Sequence, residues 1–563
     1  MAEKDYSQLD KTELIKIIEK LESRKKYGLI WDEEKVKEQF EKDAENALPV
    51  LKEIKGKEIV DKDPSKPVNF LIEGDNYHAL SVLNFTHQAK VDVIYIDPPY
   101  NTGDTSWKYN NNFVEKEDAY RHSKWISFMN KRLILARSLL KEDGTLICAI
   151  DENEQPRLGI MLEEIFPKHE IVCVSIVHNP RGIQGTNFSY CHEYAYFVYP
   201  GDGKKYISTH EREDPSLRNL RDSGGESMRT DARTCFYPII VKDGKITGFG
   251  GVPDQKFHPK GINEKKKDGS IYIWPIDSTG DERKWRYSRS SVEEIIKALR
   301  VKEVRGKFDI YLYKDEDRYK TVWIDSKYDA SEYGTKLIKR ILGPNTFAFP
   351  KSINVVKECL LAVAKDKKDA IILDYFAGSG TTGHAVMELN KKDEGNRSFI
   401  LCTNNENGIC EEVCYPRIKS IITGYKDQID NKSISGIGGS LKYFKTKFVK
   451  KNNNGDDFKT RITAECTEML CLREGVFDEV QKTDHYCIFQ KGNKTVAVYH
   501  SITRTSLQVL KKELEKMDGE KILYCFTLDP SGLSKTEFAG WQGVSLEPIP
   551  QKILDVYKQI YEY

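Results

Sequence analysis

The stretch Val91-Asp-Val-Ile-Tyr-Ile-Asp97-Pro98-Pro99-Tyr100 restricts the fold of this chain more than any other. An apolar run this short and this rich in β-branched residues predicts a strand covered on both faces. Two consecutive prolines, which lack an N–H and fix φ, forbid its continuation. Asp97 is thereby placed at the carboxyl end of a strand. Strands covered on both faces belong to α/β sheets, and in open α/β sheets ligands bind where the strands end.

A second stretch repeats the pattern. In Ala370-Ile-Ile-Leu-Asp374-Tyr-Phe376-Ala-Gly378-Ser379-Gly380-Thr381-Thr382-Gly383 a buried strand runs through an acid and a glycine turn into a helix, which lets backbone N–H groups approach a ligand closely. A third acid, Asp75 in Glu73-Gly-Asp75-Asn76, follows the strand Phe70-Leu-Ile72. Asp-Pro-Pro-Tyr suits methylation of an exocyclic amino group. The lone pair of such an amine is delocalised into its ring, and two acceptors, the Asp97 carboxylate and the Pro98 carbonyl, can draw it back by taking one N–H each. Tyr100 would stack on a base taken out of its duplex. The rival reading is a proline turn that only closes a strand.

Gly378 to Gly383 also matches the dinucleotide fingerprint G-x-G-x-x-G, but that fingerprint asks for an acid about 20 residues further on, where Thr403 stands. A glycine loop paired with a strand ending in Asp-Pro-Pro-Tyr describes S-adenosylmethionine (SAM) beside an amino group rather than nicotinamide beside a carbinol.

With 563 residues the chain has room for about three or four domains. Its net charge of +1 makes any DNA-binding surface a local one. Twelve cysteines without a C-x-x-C pair read as reduced thiols of a cytoplasmic protein, with no metal site expected. The charged N-terminus and the absence of a membrane-length apolar run argue for a soluble protein and no membrane partner.

In chain order, residues 1 to about 60 read as helical, with a second helix over Glu33 to Lys52. Strands and helices then alternate to about residue 200, including a helix from Trp125 to Leu140 and β-rich runs at Ile171 to Val177 and Glu193 to Tyr199. The loop Asn101 to Asn112 has the length of a lid or substrate-contacting element. Asn179-Pro-Arg181-Gly suits a phosphate backbone or an ordinary turn. From Gly201 to about residue 330 the pattern changes to short strands and turns, with a helical period only at Ser291 to Arg300. There Arg283-Lys284-Trp285-Arg286-Tyr-Ser-Arg289 interleaves charge with aromatics. Such a segment can track a nucleic acid, or it can be a solvated strand with one aromatic face buried. A polar stretch from Lys451 to Asp457 marks a linker before a last α/β region.

The chain resembles the modification (Mod) subunits of type III restriction systems, in the β group of DNA adenine-N6 methyltransferases, where the catalytic motif precedes the SAM motif and target recognition lies between them. The matching segments are Lys26-Tyr-Gly-Leu-Ile-Trp31, Glu73-Gly-Asp-Asn76, Asp97 to Gly103, Asn179-Pro-Arg-Gly182, His192-Glu-Tyr194, Trp285-Arg286, Phe349-Pro-Lys-Ser352, Asp374 to Gly380 and Leu441 to Thr446.

The resemblance implies a doubly wound, Rossmann-like methyltransferase sheet with permuted motif order. It divides the chain into a helical region (1–60), a catalytic core in two parts (61–200 and 331–450), a target-recognition insert (201–330) and a small C-terminal α/β domain (451–563). It implies that Asp97, Pro98, Pro99 and Tyr100 hold the adenine. SAM would be held by Asp75, Asn76, Lys351, Ser352, Asp374, Phe376, Gly378, Ser379, Gly380, Thr381 and, in place of the ribose-binding acid missing at Thr403, a group such as Asn404, Asn405 or Glu406. Expected DNA contacts are Arg181, Arg283, Lys284, Trp285, Arg286 and Arg289. The implied partners are double-stranded DNA, a second copy of the chain, and a separate ATP-dependent restriction subunit, since no P-loop G-x-x-x-x-G-K-[S/T] is present. Other readings are a solitary DNA methyltransferase and an N4-cytosine enzyme, with which the family usually places a Ser at Asp97. More remote are an RNA or protein-amide methyltransferase, a nicotinamide oxidoreductase and a non-enzymatic DNA-binding protein.

Overall fold

The computed structural model describes residues 10–12, 14–15, 47–102 and 121–561, apart from 64, 185–186, 305, 345, 452–453, 530 and 535. Of the helical region expected over residues 1–60, the part before Glu33 is described only at 10–12 and 14–15, where Lys11, Thr12, Leu14 and Ile15 are helical; most of the helix expected over Glu33–Lys52 and nearly all of the loop Asn101–Asn112 lie outside the described residues.

A ten-stranded sheet organises the chain. Its strands are β1 (Ala47–Glu53), β2 (Val68–Glu73), β3 (Val91–Ile96), β4 (Leu140–Ile150), β5 (His169–Val177), β6 (His192–Pro200), β7 (Val322–Trp323), β8 (Ile371–Asp374), β9 (Ser398–Thr403) and β10 (Ser440–Lys450), in the order β1-β10-β2-β9-β8-β3-β4-β6-β5-β7. From β10 to β4 all neighbours are parallel; β1 and β6 pair antiparallel with theirs. Strand β3 is buried at all six positions, as its unbroken apolar pattern predicts. The one acid inside it, Asp92, is satisfied by Lys141 Nζ at 2.8 Å and by the Ile371 N–H at 2.9 Å, which also locks β3 to β8.

Helices cover the sheet: α1 (Asn76–Thr86), α2 (Arg121–Arg137), α3 (Gln155–Ile165), α4 (Ile353–Ala364), α5 (Thr381–Asp393) and α6 (Tyr415–Thr423). Strands β3 and β8 lie side by side in register, Ile372 on Val93 and Leu373 on Ile94. The chain leaves β8 through α5 toward β9 and leaves β3 through α2 toward β4, in opposite directions along the sheet. That divergence opens a crevice at their carboxyl ends, the position where open α/β sheets bind ligands.

The expected helix over Glu33–Lys52 does not extend through its last turn. Ala47–Glu53 is an edge strand, because its unbroken apolar run Ala47–Leu51 is buried, pairs with β10 and packs in the core. The expected linker Lys451–Asp457 also ends early, with Asn454 capping a helix over Gly455–Glu465. The C-terminal region has its own five-stranded sheet, yet Ile462, Met469, Leu470, Ile553 and Tyr557 belong to the same apolar core as Leu48, Leu80 and Leu83. It is packed onto the ten-stranded sheet and not held off by a tether.

The chain divides into two compact units, residues 1–208 with 320–563, and Thr209–Tyr319. The second unit, somewhat shorter than the insert expected at 201–330, holds a four-stranded and a three-stranded antiparallel sheet around Leu220, Tyr237, Ile239, Ile273, Trp285 and Ile310. The residues trimmed from it serve the first unit: Ser208 N–H donates to Ala362 O at 2.7 Å, and β7 pairs with β5. The helix expected at Ser291–Arg300 is a 3₁₀ turn over Val292–Ala298 followed by a strand from Leu299. Among the described residues no helix is long and apolar enough to cross a membrane.

Candidate active site at the carboxyl ends of four strands

Asp97 leaves β3 with its Oδ1 doubly occupied, by the Tyr100 hydroxyl at 2.6 Å and by Lys351 Nζ at 3.1 Å. No described residue donates to its Oδ2 or to the Pro98 carbonyl, the two acceptors that an amine would need. The Pro99 carbonyl accepts from Trp125 Nε1 at 2.7 Å, which ties the tetrapeptide to α2. Burial raises the Asp97 pKa, the charge of Lys351 opposes this, and Glu193 adds to it. Burial likewise keeps Tyr100 protonated.

Two partners of this acid were not assigned there from the sequence. Lys351, expected at the cofactor, reaches Asp97, the Tyr100 oxygen and Glu193 Oε2, the last at 2.6 Å. Glu193 enters from β6 at 4% exposure. Burial, the largest single influence, pushes its pKa up, but the charges of Lys351 and His178 and the hydrogen bonds from Lys351 and Tyr100 together outweigh burial and hold it low. The one local signal was an acid opening the apolar run His192-Glu-Tyr-Ala-Tyr-Phe-Val.

The neighbouring strand ends complete the crevice. Asp374 ends β8 with Oδ1 on the Phe376 N–H at 2.9 Å and Oδ2 on the Thr382 hydroxyl at 2.5 Å; burial pushes its pKa up to about 7 against both bonds. It therefore shapes the glycine loop from within. Gly380 takes φ +77° at the start of α5, and a Cβ on Gly383 would stand 2.8 Å from Ile418 and 2.9 Å from Leu401, so glycine serves one position for conformation and the other for helix–strand contact. Phe376 packs against Phe128 in the core.

Three expected cofactor ligands turn inward. Ser379 and Thr381 hydroxyls accept from the fully buried Arg417 at 3.1 and 2.8 Å. Asn76 spends both ends of its amide, accepting from Arg132 Nε at 2.5 Å and donating to Tyr375 O at 3.0 Å. These side chains brace the loops and leave backbone groups to meet a ligand. Arg132 and Arg417, lone arginines on otherwise packed helix faces, carried no motif that would have revealed them. Asp75, just past β2, caps α1 through the Tyr77 N–H at 2.7 Å while its side chain stays 44% exposed.

Ser352 Oγ, Tyr375 OH, Thr403 Oγ1 and Asn404 Oδ1 are buried without a hydrogen-bond partner. Unpaired buried polar atoms cost about 1–3 kcal/mol each, and all four belong to segments beside the ends of β8 and β9 or the start of α4. A polar ligand bearing hydroxyls and an amine fits that set. Asn405 is excluded from it, because both ends of its amide are bound to Glu411, at 2.9 and 3.1 Å. Thr403 is only 1% exposed and lies in register with Glu73, itself held by Tyr443 and Lys445, so an acid at 403 would bury a second carboxylate beside the first.

The expected DNA contacts divide. Arg181 is exposed in the turn after β5. In the second unit, Trp285 is a correction: it is fully buried, its Nε1 on Tyr237 O at 2.7 Å, so it is core and not a base contact. Arg283 pairs with Asp277 at 2.7 Å, Arg286 with Asp222 at 2.8 Å and Arg289 with Glu293 at 2.8 Å. These arginines clamp turns of their own unit. Lys284 is half-buried between them.

The DNA methylase family model matches residues 91–414, more than half of the chain. The chain therefore belongs to the DNA methylase family, and it is a SAM-dependent DNA methyltransferase. Its relatives include the type III restriction-modification enzyme EcoPI Mod subunit of Escherichia phage P1, 26% identical over 71% of this chain and 67% of that one. The type II methyltransferase M.KpnI of Klebsiella pneumoniae is 31% identical over 59% and 79%. The StyLTI Mod subunit of Salmonella typhimurium is 29% identical over 66% and 57%, so this chain spans little more than half of that relative. A solved structure, the M1.HpyAVI–SAM complex, aligns over 62% of the chain and 98% of its own at 13% identity, with a TM-score of 0.29.

Proposed function

We propose that the protein transfers the methyl group of SAM to N6 of adenine in double-stranded DNA, as the modification and recognition subunit of a type III restriction-modification system. The observation that carries the reading is an aspartate at the head of the tetrapeptide with one carboxylate oxygen clamped and the other available. When bound, SAM supplies an electrophilic methyl group. Asp97 Oδ2 and the Pro98 carbonyl each accept a hydrogen bond from one amino N–H and so return the lone pair to nitrogen, the single proton lost on methylation leaves by way of Asp97 Oδ2, and Tyr100 stacks on the extruded base. The test is nucleoside analysis of DNA methylated with labelled SAM. N6-methyladenine is expected; N4-methylcytosine alone overturns the assignment.

The ribose falls to Asn404, whose amide oxygen is buried and unpartnered. Replacing Asn404 with Ala should weaken SAM binding about tenfold, roughly 1.4 kcal/mol, whereas Asn405→Ala should leave it within about twofold. Calorimetric titration of SAM separates the two, and equal effects would sink the assignment.

The second unit is read as the target-recognition module, since its insertion between the two motifs matches the family order. Its DNA contacts are then residues other than the ion-paired arginines. The partners in this reading are a second copy of the chain and an ATP-dependent restriction subunit.

A further inference from the structure

We propose that Lys351 and Glu193 form a buried positioning pair that holds the Asp97 carboxylate in place and turns its Oδ2 to the target amine, so that Lys351 serves the substrate acid and not the cofactor. The inference rests on the reading of Asp97 as the acceptor. An ammonium has three N–H donors and no acceptor. Those of Lys351 meet three oxygens: Glu193 Oε2 at 2.6 Å, Asp97 Oδ1 at 3.1 Å and the Tyr100 hydroxyl. Nothing is left for a cofactor carboxylate. Because Tyr100 also donates to Oδ1, both constraints fall on one oxygen of Asp97 and the other is presented.

The pair also sets the charge. One cation is shared by two carboxylates, which leaves a net negative charge for the amine. Glu193 holds the shorter contact and so keeps Lys351 from neutralising Asp97 outright. The other titratable groups around the trio are Tyr95 and Tyr100 with Asp97 on and after β3, Cys148 and Asp151 on and after β4, His178 after β5, Asp374 on β8 and Cys359 on α4. Lys351 lowers the Asp97 pKa and Glu193 raises it, so the two residues act on the acid with opposite signs.

That opposition makes the test. Glu193→Gln and Lys351→Met should each lower single-turnover methylation on the order of 10²-fold, the effect of misplacing a reacting group by about 1 Å, with SAM affinity within about threefold. The acid limb of the pH–rate profile should move up for Lys351→Met, with activity partly regained at high pH, and down for Glu193→Gln. A structural role would move neither limb in this way. Lys351→Met that loses SAM affinity more than about tenfold while keeping its rate at saturating SAM returns Lys351 to the cofactor and overturns the pair. If Lys351→Met does not fold, an unshifted or raised acid limb in Glu193→Gln overturns it equally. Asp97→Asn in the same assay separates the two levels. An active Asp97→Asn removes the underlying function, whereas an inactive one beside wild-type behaviour of Glu193→Gln removes only this inference.

Discussion

Asp97→Ala is expected to lower methyl transfer by at least ~10³-fold, the upper range for losing one preorganised polar group in an active site, while SAM still binds within about threefold. The separation follows from where the groups sit. Asp97 follows β3, whereas the unpartnered atoms suited to the cofactor stand at or just past the ends of β8 and β9 and at the start of α4. The protein should remain folded, because the variant leaves Lys351 paired with Glu193 at 2.6 Å, and a buried cation without any partner is avoided. Rapid-quench single turnovers with calorimetry of SAM on the same preparation read both quantities. A variant that transfers at the wild-type rate, or one that fails only because SAM no longer binds, contradicts the assignment.

Trp285→Ala should destabilise the second unit, Thr209–Tyr319, by about 3–5 kcal/mol, the usual cost of removing a large buried aromatic. Trp285 is fully buried among Leu220, Tyr237, Ile273 and Ile310, and it carries the hydrogen bond to Tyr237 O at 2.7 Å. Arg289→Ala, which removes a partly exposed pair with Glu293 at 2.8 Å, should cost no more than about 1 kcal/mol through that pair. Urea denaturation with limited proteolysis of the full chain distinguishes these outcomes. The second unit should become protease-sensitive first in Trp285→Ala. If that variant keeps its stability and loses only DNA affinity, Trp285 is a base contact after all.

The two motifs were legible because their structure is dictated locally. Proline lacks an N–H and stops β3, glycine admits the positive φ of Gly380, and a continuous apolar run marks a strand covered on both faces, wherever in the fold they stand. From these alone came the strand ends, the acid at each and the expectation of a site in an α/β sheet. The basic-aromatic segment shows the limit. A residue's identity does not say which way it faces, and Arg283, Arg286 and Arg289 read as a binding stripe until Asp277, Asp222 and Glu293 are found beside them.

Tertiary structure alone decided the company of Asp97. Lys351 and Glu193 are 158 residues apart in sequence, and they meet because the strand order sets β8 and β4 on either side of β3, with β6 next beyond β4. The edge strand Ala47–Glu53 is a similar case: its short apolar run does not by itself choose between helix and strand, and pairing with β10 makes it a strand. Sequence by itself determined where the strands must end and which acids stand at those ends, since sterics and missing donors act within a few bonds. Which charge faces which, and thus whether Lys351 holds the substrate acid or the cofactor, depends on distances through space that only the packed sheet determines.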